Sequence, residues 1–181
     1  MIARIRRRLA SDDEGFTLIE LMVVVLIIAI LLAIAIPTFL GARSRAQNRA
    51  AESNLRNALT AEKTAYSDQQ LYQSATNVQS SEPSLQFVSV APTGGNTVEV
   101  TQLPAANTPG DAVCLLAMSA SGTYYGVLDV SNVDSTYATA GTFYGSGGNT
   151  IACPTSDPAG VPTGGTGTWA TTPTGAGGAG W

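Results

Sequence analysis

At 181 residues the chain is long enough for one ordinary domain or a smaller domain with extensions, yet only 12% of it is charged, about half the share of a typical soluble protein. It has no His and two Cys, so one copy cannot hold a Ser-His-Asp or Cys-His catalytic set, a His-bearing zinc site or a four-Cys one. The net charge of −4 is segregated: all nine Lys and Arg lie between Arg4 and Lys63, and the following 118 residues carry seven acids and no base, which makes that part a poor candidate for binding DNA or RNA through phosphate neutralisation.

Residues 1–15 are short and charged, with Arg4, Arg6, Arg7 and Arg8 followed by Asp12, Asp13 and Glu14. Residues 16–42 are almost wholly apolar, and the 22 residues from Leu21 to Ala42 contain no charge. About 20 such residues span a hydrocarbon core as a helix. A cleaved secretory signal has a shorter apolar region, about 7–15 residues, ending in a small-residue cleavage site. A transmembrane helix is therefore expected. Four Arg precede the span, but Arg43, Arg45 and Arg49 follow it, so charge alone sets its orientation poorly.

From 43 to 73 there is no Gly or Pro, and Ala, Arg, Gln, Glu and Leu dominate, which favours continuation of the helix. Leu55, Ala58, Leu59, Ala65, Tyr66 and Tyr72 recur at helical spacing and predict one apolar stripe. A helix from Phe16 to Tyr72 would be roughly 85 Å long at 1.5 Å per residue, with an all-round apolar first half and an amphipathic second half.

Residues 74–153 are expected to form a small β-rich domain. Leu85–Val90, Thr97–Leu103, Ala112–Met118 and Thr123–Val130 are strand-compatible runs separated by turn residues. Val113-Cys114-Leu115-Leu116 is apolar on both faces and predicts a central strand. The expected class is α+β, a long N-terminal helix packed on a small antiparallel sheet. Residues 154–181, rich in Gly, Thr and Pro and holding both Trp169 and Trp181, have too little apolar surface for a core of their own and predict a flexible tail.

The junction between the first two segments carries the most information. It runs Gly15-Phe16-Thr17-Leu18-Ile19-Glu20, with an uncharged stretch directly behind. A carboxylate entering an apolar span is costly, so Glu20 either marks the helix start, where the dipole favours it, or has a functional partner. Residues 15–40, with Gly-Phe-Thr-Leu-Ile-Glu ahead of an apolar helix and Pro37 near its far end, resemble the N-terminus of type IV prepilins and of the related type II secretion pseudopilins.

This resemblance implies a pilin fold and a defined fate. A membrane-bound aspartyl prepilin peptidase would cut between Gly15 and Phe16 and methylate the new Phe16 amine, leaving the leader inside the cell and the β-domain outside. Glu20 would serve assembly by pairing with the Phe16 amine of a neighbour. Pro37 would kink the helix or mark where it unwinds, with Ala29 standing where many relatives carry Gly. The implied partners are the membrane, other copies in a helical filament, the peptidase, and an assembly platform with its ATPase. No catalytic residue, cofactor or metal is expected.

Cys114 and Cys153, in an oxidising compartment, read either as one disulfide or as a buried free Cys114 with an exposed Cys153. The resemblance implies the former, since many type IV pilins staple their C-terminal region. Asp129, Asp134 and Asp157 match no calcium loop and are expected at the solvated surface. The expected function is a structural type IV pilin. The alternatives are a type II secretion pseudopilin, or a minor pilin acting as adhesin or DNA-uptake component.

Overall fold

The computed structural model describes residues 15–104, 109–133, 137, 139–154 and 167–171. The expected leader at 1–15 therefore lies outside the described residues except for Gly15, as do Asp134, Asp157 and Trp181. The chain divides into two compact units, residues 1–42 and 43–181. Helix α1, Leu18–Gln69, contributes to both.

In the first unit, α1 presents apolar side chains on every side. Residues 15–40 are all exposed, including Phe16 at 90%. Pro37 stands inside the helix, where it lacks the N–H that would bond the carbonyl of Ala33. One turn is reinforced locally, because the Thr38 hydroxyl donates to the Ile34 carbonyl at 3.0 Å.

In the second unit, α1 lays one face on a six-stranded sheet. Ala51, Leu55, Ala58, Ala61, Glu62 and Ala65 are its buried residues. The predicted stripe caught Leu55, Ala58 and Ala65 but passed over three small or polar members of the same face. The helix ends at Gln69, not at Tyr72: Gln70 adopts a left-handed φ of 58°, which stops the helical ladder. Tyr72 is then held by its N–H to the Gly110 carbonyl at 2.8 Å. Gly110 has a left-handed φ of 96°, which favours glycine, and a Cβ there would stand a tight 3.2 Å from the Tyr72 carbonyl oxygen. A short helix α2, Ala75–Val78, follows.

The strands are β1 (Gln86–Val88), β2 (Thr97–Pro104), β3 (Pro109–Met118), β4 (Tyr124–Val130), β5 (Gly141–Gly147) and β6 (Thr168–Ala170). They stand in sequence order across the sheet. Every neighbouring pair from β2 to β6 is antiparallel. The expected meander needs one correction at its edge, where β1 runs parallel to β2 over three residue pairs.

Alternation along the strands separates two cores. Val98, Val100, Val113, Leu115, Ala117, Tyr125 and Val127 face α1 and pack with Leu55, Ala58 and Tyr72. On the other face, Leu116, Leu128, Phe143, Ile151 and Trp169 form the second cluster around Cys114. This second core corrects the reading of 154–181 as a tail, because Thr168–Ala170 form the sixth strand and Trp169 is buried. Within that segment, residues 168–170 add an edge strand to the sheet and Trp169 joins its second core.

Candidate functional site

The junction residues are brought together at the start of α1. Thr17 precedes the first helical residue, and its carbonyl accepts from the Leu21 N–H at 3.3 Å. The Thr17 N–H and hydroxyl donate to Glu20 Oε2 at 2.9 and 2.7 Å. In return the Glu20 N–H donates to Thr17 Oγ1 at 3.2 Å. This is a reciprocal capping box, in which a hydroxyl residue and an acid three positions on satisfy N–H groups that the helix leaves open. Its spacing, Thr17-Leu18-Ile19-Glu20, was readable in the sequence and was missed. Thr17 is the functional neighbour that attention to Glu20 alone overlooked.

The box fixes where the carboxylate points. Glu20 Oε2 is turned back to the amide of Thr17, the residue directly after Phe16, and the side chains of Phe16, Thr17 and Glu20 are exposed. Among the described residues, none has an atom within 4 Å of where a Gly15 Cβ would be, its chain neighbours aside. Behind it, an 18-residue window of α1 has mean hydropathy 3.3 with none of it buried, long and apolar enough to cross a membrane. Pro37 lies further along the same span and is not brought near the junction group.

Cys114 and Cys153 are joined as a disulfide across 39 positions of sequence. It fastens the 151–154 segment onto the sheet face opposite α1, where Tyr137 also donates its hydroxyl to the Pro154 carbonyl at 2.9 Å.

Asp129 does not lie at a solvated surface. It is buried, where it accepts from the hydroxyls of Tyr72 and Thr142 and pairs with Lys63 Nζ at 3.1 Å. Burial first, and then the Asp129 contact, push the Tyr72 hydroxyl well above the usual tyrosine range. Glu62, unremarked in the sequence, is fully buried on the helix face. Its Oε2 accepts the Gln73 N–H at 2.9 Å, while its Oε1 has no hydrogen-bond partner among the described residues. Burial pushes its carboxyl up to about 7, against the opposing pull of the Gln73 bond.

Comparison with known proteins meets this geometry at the junction. Residues 11–36 match the family described as the prokaryotic N-terminal methylation motif. The chain is 44% identical over 70 residues to the type IV major pilin protein PilA of Myxococcus xanthus, covering 39% of this chain and 32% of that one. It is 48% identical over 48 residues to the type IV wide pilus major component PilA4 of Thermus thermophilus, covering 26% of this chain and 37% of that one. Each match thus spans about a third of the relative's length. No solved structure matches the chain. The chain thus carries the prokaryotic N-terminal methylation motif and is similar, over part of its length, to two type IV pilus major components.

Proposed function

We propose that the chain is the major structural subunit of a type IV pilus, with no enzymatic role. Residues 21–42 hold the precursor in the membrane with its N-terminus inside. A prepilin peptidase cuts between Gly15 and Phe16 and methylates the Phe16 amine. An assembly ATPase and platform then transfer the subunit from lipid into a helical filament. Pro37 marks where the helix kinks or loosens in that transfer.

The observation that supports this best is the capped carboxylate at the head of a wholly exposed apolar helix. The apolar side chains from Phe16 to Leu40 find no cover among the described residues, and a surface of that size requires lipid or other copies. Glu20 is the acid at its entry. Across subunits, pairing with a methylated Phe16 amine offsets the cost of burying both charges and disfavours registers that leave Glu20 alone. The test is mass spectrometry of the mature N-terminus from sheared surface material. A chain starting at N-methylated Phe16 in a filament fraction is expected. A chain retaining Met1, with no filaments, would refute the proposal.

A further inference from the structure

Beyond residue 42, the positive charges follow a pattern that the apolar contacts do not use. Arg45, Arg49, Arg56 and Lys63 are spaced by four, seven and seven residues. At about 3.6 residues per turn they fall within roughly 40° of one line along α1. That line is on the solvent side. All four residues are exposed, while Ala51, Leu55, Ala58, Glu62 and Ala65 turn to the sheet. Glu52 shares the line and is approached by Arg56 at 3.9 Å, and Lys63 reaches Asp129 at 3.1 Å. These contacts do not withdraw the stripe from solvent, since the Arg56 and Lys63 side chains stay 58% and 49% exposed.

The rest of the unit has the opposite character. After Lys63 the chain carries acids and no base. Asp68 is exposed and Glu82 and Glu99 are half-buried, whereas Asp111 and Asp129 are buried. Copies meeting through their acidic surfaces would repel one another. A stripe of four bases on the helix offers that surface a complementary seat.

We propose that the basic stripe Arg45–Arg49–Arg56–Lys63 docks a second copy of this chain, through the solvent-reaching acids Asp68, Glu82 and Glu99 of that copy. The proposal rests on the filament reading above and adds to it a contact outside the apolar helix. Exposed charge pairs of this kind set register and orientation more than they add affinity, and salt screens them. The seven-residue steps keep the bases on one face, so a neighbour can engage several together.

The test compares three full-length chains in cells that display filaments: wild type, the charge-reversed R45E/R49E/R56E, and the charge-keeping R45K/R49K/R56K. Lys63 is left alone because it also holds Asp129. Charge reversal is expected to lower sheared filament at least tenfold, while the amount of membrane-inserted, disulfide-bonded monomer stays at the wild-type level. The lysine variant is expected to assemble as wild type. Wild-type filament yield from the reversed chain would overturn the proposal, as would failure of the lysine variant. Loss of the reversed chain from the membrane would assign the stripe to anionic lipid headgroups and also overturn it. Absence of filaments from the wild-type chain itself would instead refute the pilin reading on which the proposal stands.

Discussion

Trp169 fills the space that a side chain at Gly145 would need. A Cβ built on Gly145 would stand 2.7 Å from Trp169 Cδ2, and one on Gly126, in the neighbouring strand, 2.7 Å from Trp169 Cη2. The two glycines are paired across β4 and β5, and Gly145 is paired with Trp169 across β5 and β6. A trough without side chains thus receives one indole. Trp169→Ala should cost about 3–5 kcal/mol, as large-to-small core changes do. Gly145→Ala should cost about 1–3 kcal/mol by overpacking. Because the methyl of the second variant enters the space vacated by the first, the double variant should lose less than the sum. Thermal unfolding of the four chains in detergent checks this. Strict additivity would show that the contact does not govern the stability of this face.

The disulfide acts on the same face. Cys114 sits in the middle of β3, and Cys153 ends the segment that brings Ile151 over Leu116 and Trp169. Tying residues 39 positions apart restricts the unfolded chain and stabilises the fold by about 4 kcal/mol on the chain-entropy view. The paired substitution C114A/C153A should lower the melting temperature by several degrees or more, and reducing agent should destabilise wild type but not the variant. Intact mass with and without reduction and alkylation checks the bond itself.

Glu62 should make stability fall as pH rises. Its carboxyl titrates near 4.5 in the unfolded chain and near 7 when folded, so the folded state holds the proton more tightly. The stability due to the neutral form is full below about pH 4.5 and is lost as pH climbs through about 7. The span sets a ceiling of roughly 3 kcal/mol. Glu62→Gln can still accept the Gln73 N–H and carries no charge to bury. It should melt close to wild type at about pH 4.5 and above it at about pH 8. Parallel pH profiles for the two chains would refute this account.

Legibility followed locality. The apolar span and the Gly15–Glu20 motif occupy consecutive residues, so their physics needs no fold to be read. Strands β2, β3 and β4 were legible because Val98, Val100, Val113, Leu115 and Val127 alternate or cluster as buried strands do. Strand β5 was missed because Gly141, Gly145 and Gly147 within seven residues look like a loop. The reason for Gly145 lies 24 positions away in Trp169. Strand β6 was hidden for the converse reason, since its composition is that of a linker and its anchor is a single side chain. Nothing local marks Glu62 as buried, since its place inside comes from the sheet packed on that helix face and from the distant Gln73 N–H. From the residues alone the two cysteines left a disulfide and two free thiols open, the resemblance favoured the bond, and the structure joins them. What they hold down was not visible.

The capping box separates two roles of Glu20 that substitution by alanine would confound. Glu20 both accepts from Thr17 at the helix start and, in the proposed filament, carries the charge that meets a neighbour's Phe16 amine. Glutamine is also competent in a capping box but has no charge. Glu20→Gln should therefore keep the helix start, membrane insertion and cleavage after Gly15, while surface filament falls at least tenfold. Thr17→Val should do the reverse, weakening the cap but leaving the charge and most of the filament. Quantifying processed monomer in membranes against sheared filament measures both. If the glutamine variant assembles like wild type, Glu20 serves the helix start alone, and the pairing with Phe16 is wrong.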